Sequence, residues 1–106
     1  MGRVEVPKLT AHVKRLLGVE KAEVVETVRL IERFEGQVVW DGVVHVFRVR
    51  HPQSDTCYAW SSPVTGSKRR KFYAVLKLPP VDSPATAVRA AILFDYKKGE
   101  ASKTLP

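Results

Sequence analysis

The chain has 106 residues, 44% of them apolar and 27% charged, with a net charge of +7. That is enough apolar material for one core over residues 1–106, which argues against wholesale disorder and against a second domain. Cys57 is the single cysteine, so an internal disulfide is excluded. There is no membrane-length apolar run and no secretion-signal pattern, so the expected location is the reducing cytoplasm, with no membrane partner.

The charge is unevenly spread. Residues 36–75 carry six basic and two acidic side chains, a surplus of +4, against +1 for residues 1–35 and +2 for residues 76–106. A basic centre makes an anionic partner worth seeking, although solubility alone explains many basic proteins.

Residues 1–6 read as a loose lead-in. Pro7 suits the first turn of a helix, and Leu9, Val13, Leu16 and Leu17 recur at helical spacing before Gly18, a natural cap. A short helix over 8–17 follows. Residues 19–35 are ambiguous, because Val24, Val28 and Ile31 fit one helical stripe while the many β-branched residues favour strand.

Asp41-Gly42 has the composition of a two-residue type I′ hairpin turn. That turn places Trp40 opposite Val43, Val38 opposite His45, Gly36 opposite Phe47 and Phe34 opposite Val49, all on one face. Glu35 then meets Arg48, and Arg33 meets Arg50. A long strand over 26–40 results, with a helix over 20–33 as the competing reading. In this register Glu32 is a strand-end residue that reaches solvent, or else a buried carboxylate.

A second hairpin joins Thr56–Ser62 to Lys71–Leu78 through a turn-rich stretch at 63–70, and Pro79-Pro80 ends its second strand. Ser83 and Pro84 then open a helix with an Ala87, Val88, Ala91, Ile92 and Phe94 stripe. Lys97, Lys98 and Gly99 suit its end, and residues 100–106 read as frayed. The expected fold is α+β: a four-stranded antiparallel meander sheet with an N-terminal and a C-terminal helix packed on one face.

The most visible candidate site is Lys68, Arg69, Arg70 and Lys71 at the second hairpin loop, extended by Arg48 and Arg50. Four cations on a loop neutralise phosphates, and Phe72, Tyr73, Tyr58 and Trp60 beside them resemble the stacking surfaces of single-strand binders. The plainer reading is a solvated loop beside core aromatics. A pocket between sheet and helices, lined by Trp40, His45 and Tyr58, would suit a small ligand or a minor enzyme, while a partly buried His45 with a single hydrogen bond is the plainer reading.

His51, Asp55 and Cys57 are near in sequence, but nothing in their spacing makes a nucleophile–base pair, and Cys57 fits a core position. The scattered histidines lack metal-ligand spacing, and no cofactor motif is present. The leading expectation is therefore a non-catalytic binding module for an anionic partner, nucleic acid or acidic protein. The alternatives are a homodimeric interaction protein, joined by a sheet edge or by the Ala85, Ala87, Ala90 and Ala91 side of the last helix, and the small-molecule binder.

Overall fold

The computed structural model describes the backbone of residues 2–63, 66 and 68–104 and the side chains of residues 5–63, 66 and 68–94. Its elements, in chain order, are α1 (Gly2–Leu17), β1 (Ala22–Phe34), β2 (Gln37–Val49), β3 (Thr56–Pro63), β4 (Arg70–Leu76) and α2 (Pro84–Thr104). The four strands form one antiparallel sheet in the order β1-β2-β3-β4, as a meander requires. The class is α+β, with a helix at each end of the chain, as the sequence pattern predicts.

The first hairpin turns six residues earlier than expected. Glu35 and Gly36 both have positive φ, 52° and 79°, and Phe34 pairs with Gln37. Asp41 and Gly42 instead lie inside β2, opposite Ile31 and Leu30. Both dipeptides are an acid followed by glycine, and local turn chemistry alone favours Asp41-Gly42. Two further facts override that preference. A Cβ at Gly42 would come within 2.8 Å of the Trp40 ring, so this glycine serves the close approach of an indole. Turning at Glu35-Gly36 also gives the β-branched stretch from Ala22 onward a full partner strand.

The expected pairings therefore change. His45 faces Thr27, Phe47 faces Val24, Val49 faces Ala22, and Arg48 faces Glu23. The ladder shifts register between Val24 and Glu26 and between Glu32 and Arg33. The competing helix over 20–33 is not formed.

The helices sit on opposite faces. Along β3, Cys57 and Ala59 point to a core that holds Leu9 and Val13 of α1, while Tyr58 and Trp60 point to one that holds Ala87 and Val88 of α2. In β2, Phe47 and Val49 join the α1 core and Val44 and Val46 the α2 core. The expectation of both helices on one face took one side of the sheet to be wet. Continuous burial from Val44 to Phe47 and from Cys57 to Ser61 means that both sides need cover.

The helix ends follow their local chemistry with extensions. Gly18 (φ 66°) closes α1, and the Val19 N–H donates to the Lys14 carbonyl (3.1 Å), a Schellman arrangement with Val19 packed on the α1 core. At the other end of the chain the Ser83 hydroxyl accepts from the Thr86 N–H (3.2 Å), and the Thr86 hydroxyl accepts from the Ser83 N–H (3.0 Å), which caps α2 reciprocally. The first helix begins at Gly2, taking in the expected lead-in, and α2 runs through Gly99 to Thr104. Residues 1, 105 and 106, part of the segments expected to fray, lie outside the described residues. Phe94, expected in the buried stripe, is exposed along with Leu93.

Candidate functional site: two basic regions and an aromatic recess

The antiparallel meander separates the predicted basic residues. Lys71 pairs with Ser62 and Arg70 with Pro63 at the β3–β4 tip, whereas Arg48 pairs with Thr56 at the other end of β3. At strand rise the two positions are roughly 20 Å apart. The structure therefore makes two basic regions of the residues that sequence reasoning joined.

At the tip, Lys68, Arg69, Arg70 and Lys71 are all exposed. Their roles differ. Arg70 Nε donates to the Ser61 hydroxyl (2.7 Å), and its Nη2 donates to the Ser61 carbonyl (3.1 Å). Arg70 is thus committed to the fold. Lys71 Nζ lies 5.0 Å over the Tyr73 ring, a cation–π contact. Tyr73 in turn stacks on Trp60, with centroids 5.3 Å apart and planes inclined by 7°, and Trp60 meets Trp40 edge-on at 6.2 Å.

These three rings, with Ser62 and the α2 residues Val88 and Ile92, line a recess of about 260 Å³. Trp60 is its buried floor, while Trp40 and Tyr73 are half-buried walls. Trp40 Nε1 donates to the Ser62 hydroxyl (3.1 Å), which fixes the indole. Of the aromatics singled out beside the basic run, Tyr58 is buried too deeply to reach a ligand, and Phe72 belongs to the α1 side, edge-on to His12 at 5.8 Å.

The expected Trp40, His45 and Tyr58 pocket is not assembled. His45 pairs with Ala59 and Val46 with Tyr58, so His45 and Tyr58 point to opposite faces. His45 lies beneath α1 and is 4% exposed. Its Nδ1 hydrogen-bonds the Thr27 hydroxyl at 3.0 Å. Its Nε2 is 3.5 Å from Glu5 Oε2, within ion-pair range but without hydrogen-bond geometry. Glu5 also accepts from the Ser61 hydroxyl and stands 3.6 Å from Arg70.

This polar bolt fastens the start of α1 to β2, β3 and β4. It borders a cleft of about 470 Å³ where β2 and β3 part beyond His45, lined also by Trp40, Val43 and Ser62. Glu5 and Ser61 carry no local sequence signal, because their contact spans 56 positions.

Glu32 is the buried carboxylate of its two expected alternatives, 7% exposed, and accepts from Arg89 Nε at 2.8 Å. The sequence register had placed it at a strand end. Cys57 is fully buried, and burial pushes its thiol up to about 12, so the thiolate is scarce near neutrality. His51 Nδ1 accepts from the Gln53 N–H (3.1 Å) inside the β2–β3 turn, an Asx-like local use of the ring.

At the far end of the sheet, Arg48 and Arg50 share a cleft with Lys14 of α1 and Lys21 of the α1–β1 loop. Sequence reasoning missed the two lysines because they come from separate elements. Among the described residues no cluster of three or more His, Cys, Asp or Glu side chains has metal-holding geometry, and no helix is long and apolar enough to cross a membrane. No family model, curated protein or solved structure matches the chain, so the site has to be interpreted from its own chemistry.

Proposed function

We propose that this chain is a non-catalytic binding module for single-stranded nucleic acid, engaged through the β3–β4 tip. The observation that carries this reading is the recess of Trp40, Trp60 and Tyr73 at the root of the basic run, with Lys71 over the Tyr73 face. A flat, unstacked base fits against half-buried aromatic walls, and cations beside them meet the phosphates on either side. An acidic protein would use the same charges but has no need of the rings. Both sheet faces are covered by helices, which leaves the tip as the place where rings and cations coincide.

The phosphate contacts are assigned to Lys68, Arg69 and Lys71 on their exposure at the tip, while Arg70 anchors the strand end through Ser61. Three contacts to a single strand give a log–log salt slope of about −2, which is a roughly twenty-fold loss of affinity between 50 and 200 mM salt. The test is fluorescence anisotropy with a labelled oligothymidylate, its duplex and polyglutamate. The expected result is saturable binding of the single strand, lost in Lys68→Ala/Arg69→Ala/Lys71→Ala and weakened by Tyr73→Ala. Removing one stacking partner costs about 1–3 kcal/mol. Equal binding of polyglutamate, or full retention by the triple variant, would overturn the nucleic-acid reading.

A further inference from the structure

We infer that the cleft at the opposite end of the sheet is a second, separate binding site, for a compact phosphate-bearing ligand. Its lining brings together cations from three elements: Lys14 in the last turn of α1, Lys21 in the loop before β1, and Arg48 and Arg50 flanking Val49 at the end of β2. Among the described residues none of the four makes an ion pair or a side-chain hydrogen bond. Glu23 is the one carboxylate in the lining, so the cleft carries a net charge of +3 within about 370 Å³.

Concentrating four cations around the single carboxylate of Glu23 is costly, and the cost is relieved when an anion enters. Arg29, Arg70 and Arg89 are paired with Asp41, Glu5 and Glu32, whereas here four cations without an ion pair among the described residues line one cleft.

The geometry selects a multiply charged oxyanion. Val49 is buried in the α1 core, so Arg48 before it projects from the other face of the sheet, and Arg50 follows just past the strand end, roughly 7 Å further along the chain. Two guanidinium forks at that spacing suit bidentate contact with neighbouring phosphoryl groups, and the two lysines add point charges that do not require a fixed direction. A surplus of three charges favours a diphosphate or a phosphomonoester over a single carboxylate. The cleft shares no residue with the aromatic recess, so the site stands whether or not the tip binds nucleic acid.

The experiment is a titration of the full chain with inorganic pyrophosphate, followed by backbone amide shifts, with sodium chloride of equal ionic strength as the control. The expected result is saturable movement of residues 14, 21–23 and 48–50, with residues 68–71 unmoved. Lys21→Ala/Arg50→Ala should weaken binding by at least about tenfold with an unchanged amide spectrum elsewhere, since charge-assisted contacts are lost. Shifts that match the chloride control, or that centre on the β3–β4 tip, would overturn the site. A second arm compares one oligonucleotide with and without a 5′-phosphate. A 5′-phosphate-dependent shift at the cleft assigns the phosphate to a nucleic-acid end, and pyrophosphate binding without that dependence assigns it to a free small molecule; both support a phosphate site.

Discussion

The two faces of the sheet solve the same packing problem differently. Under α1 the apolar core of Leu9, Val13, Phe47 and Cys57 ends in the polar bolt of Glu5, His45, Ser61 and Arg70. Under α2 the core of Val44, Val46, Tyr58 and Trp60 ends in an open aromatic recess, and among the described residues the polar fastening of the helix to the sheet is the Arg89–Glu32 pair. A face whose polar groups are turned inward on one another is built for attachment. A face whose rings are left half-covered has binding capacity to spare. Exposed Leu93 and Phe94 on α2 extend that contrast.

Truncating the largest buried ring on each side should have the largest effect. We predict that Trp60→Ala and Phe47→Ala each cost about 3–5 kcal/mol in urea unfolding, because both remove a fully buried ring. The pair also separates the faces: Trp60→Ala should abolish oligonucleotide binding at temperatures where it remains folded, and Phe47→Ala should spare it. Loss of binding in both, with both folded, would break the comparison.

The polar fastenings should come next. Arg89→Ala leaves Glu32 buried and unpaired, so it should cost about 1–3 kcal/mol, whereas Glu32→Leu should be close to neutral because Arg89 is mostly exposed. Glu5→Ala should cost a similar 1–3 kcal/mol (about that for a buried group left without its partner), since Ser61 and His45 both lose their carboxylate. Equal costs for Arg89→Ala and Glu32→Leu, read by thermal unfolding, would sink the asymmetry.

The smallest effects are those of pH. Burial pushes the Cys57 thiol from 9.0 to about 12, and burial with Asp82 and Glu26 raises Tyr58. The folded state holds these protons after the unfolded chain has released them. These two groups therefore leave stability unchanged up to about pH 9 and lower it as pH rises from there towards 12. Burial, helped by Arg15, lowers His12, so the unfolded chain binds that proton first and stability should also fall below about pH 6.5. The alkaline loss reports on both faces, while the acid loss from His12 reports on the α1 side. Replacing His12 by Gln should flatten the acid limb and leave the alkaline limb alone.

Much of this architecture was legible in the chain. The β3–β4 hairpin, the Ser83 cap and the meander follow from local composition. The first turn did not, because Asp-Gly is the stronger local turn signal and is overridden by the Trp40 ring against Gly42 and by the full pairing of β1 with β2. The side of the sheet taken by each helix was hidden for a related reason. A four-residue buried run such as Val44–Phe47 reads as one apolar stretch until it is known that both faces are covered. Of the basic residues, the contiguous run at 68–71 was visible at once. Lys14 and Lys21 became site residues only when the α1–β1 turn brought them over the end of β2.

The bolt at Glu5 has a consequence for how the chain assembles. Its partners Ser61 and Arg70 belong to the last two strands, so the seat for the first helix is made from material far along the chain. Each strand, by contrast, pairs with its immediate neighbour, and short loops close quickly. Helix α1 precedes in the chain all the strands that receive it, and its polar anchorage is complete only once the second hairpin is in place.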